Sequence, residues 1–570
     1  MKPRWIGHVC LGRYTAPRES SVPVAASRSE PDTSPRGAKR AEERQSTNQG
    51  LRVCWDIKSG SPWLVGALAA LMLVSHVRAQ NQGQPTAGQR AGPLSVGTET
   101  VEVDGQALGR PFPHYWERMF GSGRAILSLR QSYRRDLREV KEATGFEYVR
   151  FHAIFHDEVG VYDEDADQRP IYNFSYVDQI YDGLLENGVR PFVELSFTPA
   201  KLAARPLFHA FWYKPIVAPP KDWGRWGDLI TNFARHVVAR YGIDEVSQWY
   251  FEVWNEPNID FWAGEPKEST YYQLYDAAAN ALKKVDPKLR VGGPATAQAA
   301  WVEPFIRHAV EGHVPVDFVS THVYANDTAK DVFGTNESIP RTEMVGRAVR
   351  KVHDQVAASA RPDLPIIWSE YNASYKNEPD VTDATFMGPW LANTIRQSDG
   401  LVDMLSYWTF SDVFEEQGVI KQPFYGGYGL MAGGSVPKPA FNAFKLLHRL
   451  GTRRVETDST SALVTRRDDG GWTIAVWNLA LPEEQGTSKD IAITIKGWGR
   501  RRATISRVDS AHGSVHPAYA AMGRPVSPTA DQLRSLRRAA ALGAEETKSF
   551  EGGRLAVTVP PHGLALIEVR

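Results

Sequence analysis

Residues 249–257 read Trp249-Tyr250-Phe251-Glu252-Val253-Trp254-Asn255-Glu256-Pro257, and the fold is decided here. Trp249–Trp254 is a short, mostly apolar run of strand length, and it delivers an amide, a carboxylate and a proline at its C-terminal end. A lone Glu-Pro is usually a surface turn. The pattern gains weight because it recurs: Ile366-Ile367-Trp368-Ser369-Glu370-Tyr371-Asn372 is again an apolar run that ends on a glutamate. Between and around these two stretches, further candidate strands fall at Tyr148–Phe151, Arg190–Leu195, Arg290–Gly292, Phe318–His322 and Met404–Trp408. Segments of helical period separate them, notably Trp223–Tyr241, Tyr271–Val285 and Thr342–Ala358. Strand–helix alternation over roughly 350 residues predicts an α/β protein of the (β/α)₈ TIM-barrel class, whose strand ends gather side chains on one face. The alternative is a doubly wound open sheet, and no G-x-G-x-x-G follows any early strand to support it.

The texture changes after about residue 452. Ala462–Arg466, Trp472–Trp477, Ile491–Ile495, Thr504–Val508, Arg554–Val559 and Leu564–Val569 are strand-length runs separated by turn residues such as Asp469-Gly470-Gly471 and Pro560-Pro561. They predict a C-terminal β-sandwich accessory domain, joined by an N-terminal strand around Ser95–Val103 and interrupted by a helical patch near Thr529–Leu542. The expected organisation is a tail with a signal peptide over 1–79, a linker and joining strand over 80–104, the barrel over 105–450 and the sandwich over 451–570.

Residues 1–62 are rich in Arg, Ser, Pro and Gly and lack apolar periodicity, which predicts disorder. Trp63–Val74 is then an unbroken apolar stretch. Its twelve residues fall short of the about 20 needed to span a bilayer, so no stable membrane span is expected. They match the hydrophobic region of a signal peptide, with Arg52 and Lys58 as the positive flank and Val77-Arg78-Ala79 as the cleavage site; the alternative is a short buried core helix. Secretion to the periplasm or beyond, with cleavage after Ala79 and a true start near Leu51 or Val53, is the expectation.

Sixty-six basic residues balance 66 acidic ones, which gives no electrostatic reason to expect nucleic acid as a partner. A homo-oligomer is compatible with the sequence. Both cysteines, Cys10 and Cys54, lie in the tail, so the body has no thiolate metal site or cysteine nucleophile. His156-Asp157-Glu158 has ligand-type side chains in a row, but three adjacent side chains do not converge on one ion. No cofactor and no catalytic metal are expected. The 17 Trp, 21 Tyr and 23 Phe fit either a large aromatic core or flat faces for sugar rings.

Two carboxylates projected from different strands into one pocket are the minimum equipment for glycoside hydrolysis. With Tyr148-Val149-Arg150-Phe151-His152, Pro191–Phe197, Phe251–Asn258, Thr321-His322-Val323-Tyr324, Ser369–Tyr375, Trp408–Glu416 and the ending Pro560-Pro561-His562 in order, the chain resembles the family 39 glycoside hydrolases. That family holds β-xylosidases and α-L-iduronidases on a (β/α)₈ barrel. The resemblance implies Glu256, on the fourth barrel strand, as acid/base and Glu370, on the seventh, as nucleophile of a retaining double displacement. It further implies Asn255 on the sugar 2-hydroxyl, Tyr324 as a donor to Glu370, and His152 and His322 lining the sugar pocket. Phe197 and Trp408 would be apolar walls, Tyr375 a further substrate contact, and Glu415 and Glu416 acceptors for the distal hydroxyls. One of those two neighbouring glutamates is expected to turn away, and Phe197, Trp408 and His152 have core positions as their alternative. An iduronidase must neutralise a carboxylate with Arg or Lys, whereas two glutamates near the eighth strand favour a neutral sugar. The expected activity is therefore an exo-acting β-xylosidase on xylo-oligosaccharides, the alternatives being α-L-iduronidase, α-L-arabinosidase, an endo-β-glycosidase, or a carbohydrate-binding or adhesion protein without catalysis.

Overall fold

The computed structural model describes residues 98–570. The expected tail, signal peptide and linker up to residue 97 lie outside the described residues. Eight parallel strands close a barrel: β1 (Met119–Gly121), β2 (Tyr148–Phe151), β3 (Arg190–Leu195), β4 (Tyr250–Val253), β5 (Arg290–Thr296), β6 (Phe318–Tyr324), β7 (Ile366–Asn372) and β8 (Met404–Tyr407). Tyr407 pairs with Phe120 and seals the ring, so the open-sheet alternative is set aside. A helix follows each strand, and Trp223–Tyr241 after β3 shows why these segments are helical. Trp226, Leu229, Ile230, Phe233, Ala234 and Val237 recur at helical spacing and are all buried. Asp222 accepts a hydrogen bond from the Arg225 backbone N–H at one end, and Gly242, at φ 80°, ends the helix at the other.

Inside the barrel the strands form layers. Met119, Tyr148, Phe192, Phe318, Ile367 and Met404, with Tyr250 partly buried, plug the end where the strands begin. Two residues further along β2, β3 and β4 stand Arg150, Glu194 and Glu252, all fully buried. The strand period of two carries the charged layer directly onto the apolar plug. Strand β1 escaped sequence recognition because its three residues are too few to show a period. Its Gly121 is nonetheless required, since a Cβ there would stand 2.0 Å from the Trp408 ring.

The C-terminal strands pack as two sheets. One has seven strands, in the order Arg110–Pro111, Arg453–Val455, Ala462–Arg466, Trp472–Asn478, Gly563–Val569, Arg501–Val508 and Glu546–Phe550. The other places Thr98–Asp104 parallel to Lys489–Lys496, with Arg554–Val559 on the far side. Val101, Val103, Ile474, Ile491, Ile493, Val557 and Ile567 interdigitate between them, forming the expected sandwich. The helical patch is also present as Ala530–Ala540, started by a capping box in which Thr529 and Gln532 exchange hydrogen bonds. It packs Leu536 and Ala540, with Val515 and Tyr519, on Phe424, Ala432 and Val436. This insertion therefore braces the long connection after β8. No helix among the described residues is long and apolar enough to cross a membrane.

Candidate active site

The charged layer has one cation and three carboxylates. Arg150 donates from Nε to Glu252 (2.6 Å), from Nη1 to Glu370 Oε1 (2.6 Å) and from Nη2 to Asn255 Oδ1 (2.9 Å), and it stands 2.7 Å from Glu194. Burial alone would lower the Arg150 pKa; Glu252, Glu194 and Glu370 outweigh it and raise the value. All three nitrogens of the guanidinium fork are thus engaged inside the barrel.

A β-bulge in β7 brings two consecutive residues inward. Thr321 pairs with Trp368 and His322 with Glu370, leaving Ser369 as the extra residue. Ser369 Oγ donates to Glu252 Oε1 at 2.6 Å, while Glu370 stands above it in the cavity. Its second oxygen, Oε2, accepts the Tyr324 hydroxyl proton at 2.7 Å. Burial, then the charges of Glu370 and Glu256, push that hydroxyl well up, so it remains a donor. Glu370 therefore has a strong donor on each oxygen, an arrangement that complements negative charge.

Glu256 has the opposite surroundings. Its backbone is left-handed, at φ 46°, after Trp254 at φ 73°, and its N–H donates to the Ala295 carbonyl at 2.7 Å. Such conformations cost about 1–3 kcal/mol each and persist where surrounding structure imposes them. Burial first, then the Glu370 charge, pushes the Glu256 carboxyl well above the ordinary carboxylate range. Its side-chain neighbour is His322, whose Nδ1 is 3.0 Å from Glu256 Oε1 and whose Nε2 is 3.0 Å from Ser369 Oγ. Burial, then the charges of Arg150 and His152, hold His322 well below the usual histidine range, hence neutral. One oxygen of Glu256 and one of Glu370 lie within 4.8 Å of each other.

These groups open into a cavity of about 380 Å³ lined by His152, Asn255, Glu256, Tyr324, Glu370, Tyr375, Trp408 and Glu416, among others. His152 donates from Nδ1 to Glu194 at 2.7 Å and lies against Trp408, ring centres 4.8 Å apart. Three sequence expectations need correction. His322 does not line the cavity: it is fully buried beneath it, wedged between Glu256 and Ser369. Phe197 is also fully buried, behind Phe261, which takes the wall position instead. Glu415 turns out of the cavity to Arg124 at 3.3 Å and to Arg130, while Glu416 faces in. Burial, then Glu370 and Glu194, push the Glu416 carboxyl well up.

Arg150, Glu194 and Glu252 were missed as site residues, although each was visible as a charge inside an apolar strand. His209, Phe211, Phe261, Gln298, Asp327, Gln417 and Tyr428, also on the lining, sit on loops with no period to betray them. Glu256, His322 and Glu370 are close enough to surround a cation. Both His322 nitrogens and both Glu370 oxygens are instead engaged by protein partners, with Arg150 as the local positive charge.

A closed parallel barrel that presents a raised-pKa carboxyl and a doubly hydrogen-bonded carboxylate from its fourth and seventh strands is a glycoside hydrolase. The model of Glycosyl hydrolases family 39 matches residues 99–555, and the chain belongs to that family. It is 37% identical to a β-xylosidase of Geobacillus stearothermophilus over 473 residues, covering 80% of this chain and 93% of the relative. With a β-xylosidase of Caldicellulosiruptor saccharolyticus the identity is 35%, covering 82% and 97%. The crystal structure of a monomeric β-xylosidase from Caulobacter crescentus superposes with a TM-score of 0.75 at 33% identity, covering 83% of this chain and 99% of that one.

Proposed function

We propose that this chain is a retaining, exo-acting β-xylosidase that removes xylose from the non-reducing ends of xylo-oligosaccharides. The observation that carries the reading is the carboxylate pair: oxygens within 4.8 Å of each other, in opposite electrostatic settings. Retaining enzymes hold their carboxyls about 5–5.5 Å apart, whereas inverting ones need about 6.5–9.5 Å to admit a water. Glu370 attacks the anomeric carbon as the Glu256 proton passes to the glycosidic oxygen, and the leaving alcohol departs. Esterification removes the Glu370 charge and with it part of the force that held the proton on Glu256. Glu256 then takes a proton from water, the water oxygen bonds to the anomeric carbon, and Glu370 is released. Asn255, oriented by Arg150, faces the sugar 2-hydroxyl, and Glu416 with His152 faces the distal hydroxyls.

Among the described residues no Lys or Arg lines the cavity, and Glu416 does, which favours a neutral sugar over a uronate. Exo action is supported on the Glu416 side, where the Trp212 N–H donates to the Glu416 carbonyl at 2.7 Å and ties two loops together. Secretion, with cleavage after Ala79, belongs to the same proposal, and N-terminal sequencing of exported protein checks it.

The test is hydrolysis of aryl β-D-xyloside by the wild type and by Glu256→Ala, with and without azide. Wild-type turnover, with azide restoring Glu256→Ala through a β-xylosyl azide, is expected. An α-configured azide would overturn the assignment of Glu256 as the acid/base of a retaining mechanism, and turnover of another aryl glycoside in preference to the xyloside would overturn the sugar.

A further inference from the structure

The acid/base residue has a neighbour that the mechanism does not use. From the end of β5 to the start of its helix, Ala295, Gln298, Ala299 and Trp301 all adopt left-handed backbone, with φ between 52° and 61°. Four such residues within seven form a costly segment, and it persists because it is bolted to the loop that carries Glu256. Ala295 accepts the Glu256 N–H. Asn258 donates its amide to the Ala297 carbonyl at 3.0 Å and accepts the Ala297 N–H at 2.9 Å. The result is that Ala297 and the half-buried Gln298 join the cavity lining beside Glu256.

Two more groups complete this side. Gln298 and Asp327 both line the cavity, and the Asp327 carboxylate accepts the Tyr324 N–H at 2.7 Å. Burial pushes the Asp327 carboxyl up to about 7, so near neutrality it can accept or donate. Tyr375 stands at the rim, 44% exposed, its ring edge-on to Tyr324 with centres 6.1 Å apart. Its main chain is fixed on both sides, by Asn326 on the N–H at 3.0 Å and by the Tyr428 hydroxyl on the carbonyl at 2.7 Å. An exposed aromatic ring on a fixed backbone is an arrangement that stacks on a sugar face.

The chemistry fixes which end of a substrate meets these groups. The glycosidic oxygen must lie against Glu256, so the departing sugar occupies the side built from the Glu256 loop, while the retained sugar reaches toward His152, Trp408 and Glu416. We propose that Gln298, Asp327 and Tyr375 form a leaving-group subsite for a pyranose, with Tyr375 stacking on its face and the Gln298–Asp327 pair hydrogen-bonding its hydroxyls. This rests on the β-xylosidase reading and extends it to the second sugar.

The test compares kcat/KM for xylobiose with that for 4-nitrophenyl β-xyloside, whose leaving group offers a ring but no sugar hydroxyls. Gln298→Gly suits the left-handed backbone and deletes the amide. It is expected to lower the ratio of disaccharide to aryl activity about tenfold, the loss of one hydrogen bond to substrate. Tyr375→Ala, which deletes the platform for either ring, is expected to lower both activities by a similar factor. A ratio unmoved in Gln298→Gly, whether both activities hold or fall together, overturns the subsite while leaving the xylosidase reading intact. A wild type inert toward both xylosides overturns that reading and the subsite with it.

Discussion

Replacing His322 with Phe tests where the catalytic proton resides. Ser369 donates its one hydroxyl proton to Glu252, so its oxygen can only accept from His322 Nε2, 3.0 Å away. A neutral ring with its proton on Nε2 has a bare Nδ1, and that atom is 3.0 Å from Glu256 Oε1. The network therefore assigns the shared proton to Glu256. A hydrogen bond made only by the protonated acid raises its pKa. With a net worth of about 1 kcal/mol against about 1.4 kcal/mol per pKa unit, this bond accounts for roughly 0.7 unit. Phe keeps a buried ring and removes the acceptor. Catalysis needs protonated Glu256, so activity is present below its raised pKa and lost as pH rises through it. The basic limb of the kcat/KM profile for aryl β-xyloside is expected to move about 0.7 unit toward acid in His322→Phe. This readout is independent of how far the absolute rate falls. A limb that stays in place, or moves to higher pH, would refute the assignment; the latter would mean that Nδ1 carries the proton and donates it to a Glu256 carboxylate.

Three further outcomes follow from the same contacts. In Glu370→Gln, loss of the neighbouring charge is expected to lower the Glu256 pKa toward the ordinary range, read by ¹³C titration of the side-chain carboxyl. Lys438 is fully buried against Asp383 at 2.7 Å and Asp412 at 2.6 Å; Lys438→Met leaves two uncompensated carboxylates and is expected to cost about 3–5 kcal/mol in denaturant unfolding. Burial pushes Asp136 up to about 6 despite its bonds from Ser411 and Ser435. Because its folded pKa lies above the unfolded one, its contribution is greatest below about pH 4 and is lost as pH rises toward 6. Asp136→Asn is therefore expected to stabilise the protein at pH 7.5, by up to about 3 kcal/mol, with the gain gone at pH 4; equal unfolding midpoints at pH 7.5 would contradict this.

The fold was legible where an element is long enough to show its period. The helix Trp223–Tyr241 was read to the residue, and so were the strands Tyr148–Phe151 and Arg190–Leu195. Strand β1 was hidden by its length, and Glu546–Phe550 by its position at a sheet edge, where four of five side chains are at least partly exposed and no apolar alternation is required. In the site, strand ends told which residues point inward but not how deep they sit. His322 and Phe197 were read as inward and lie one shell too far in to line the cavity. That Glu415 and Glu416 would diverge followed from their being neighbours on an irregular loop. Which one faces the cavity depends on Arg124 and Arg130, contributed from the connection after β1, and no local pattern reveals that pairing.

The charges inside the strands carry the deeper regularity. Arg150, Glu194 and Glu252 each stand two residues beyond an apolar plug residue, so the strand period alone sets them in one layer. One guanidinium then serves Glu194, Glu252 and Glu370 together. A fourth buried carboxylate in the same region has no cation left to share. Glu256 meets that condition by keeping its proton, with a neutral histidine beneath it as acceptor. The division of labour between two chemically identical side chains is thus set by which of them Arg150 reaches, through a single arginine on the second strand.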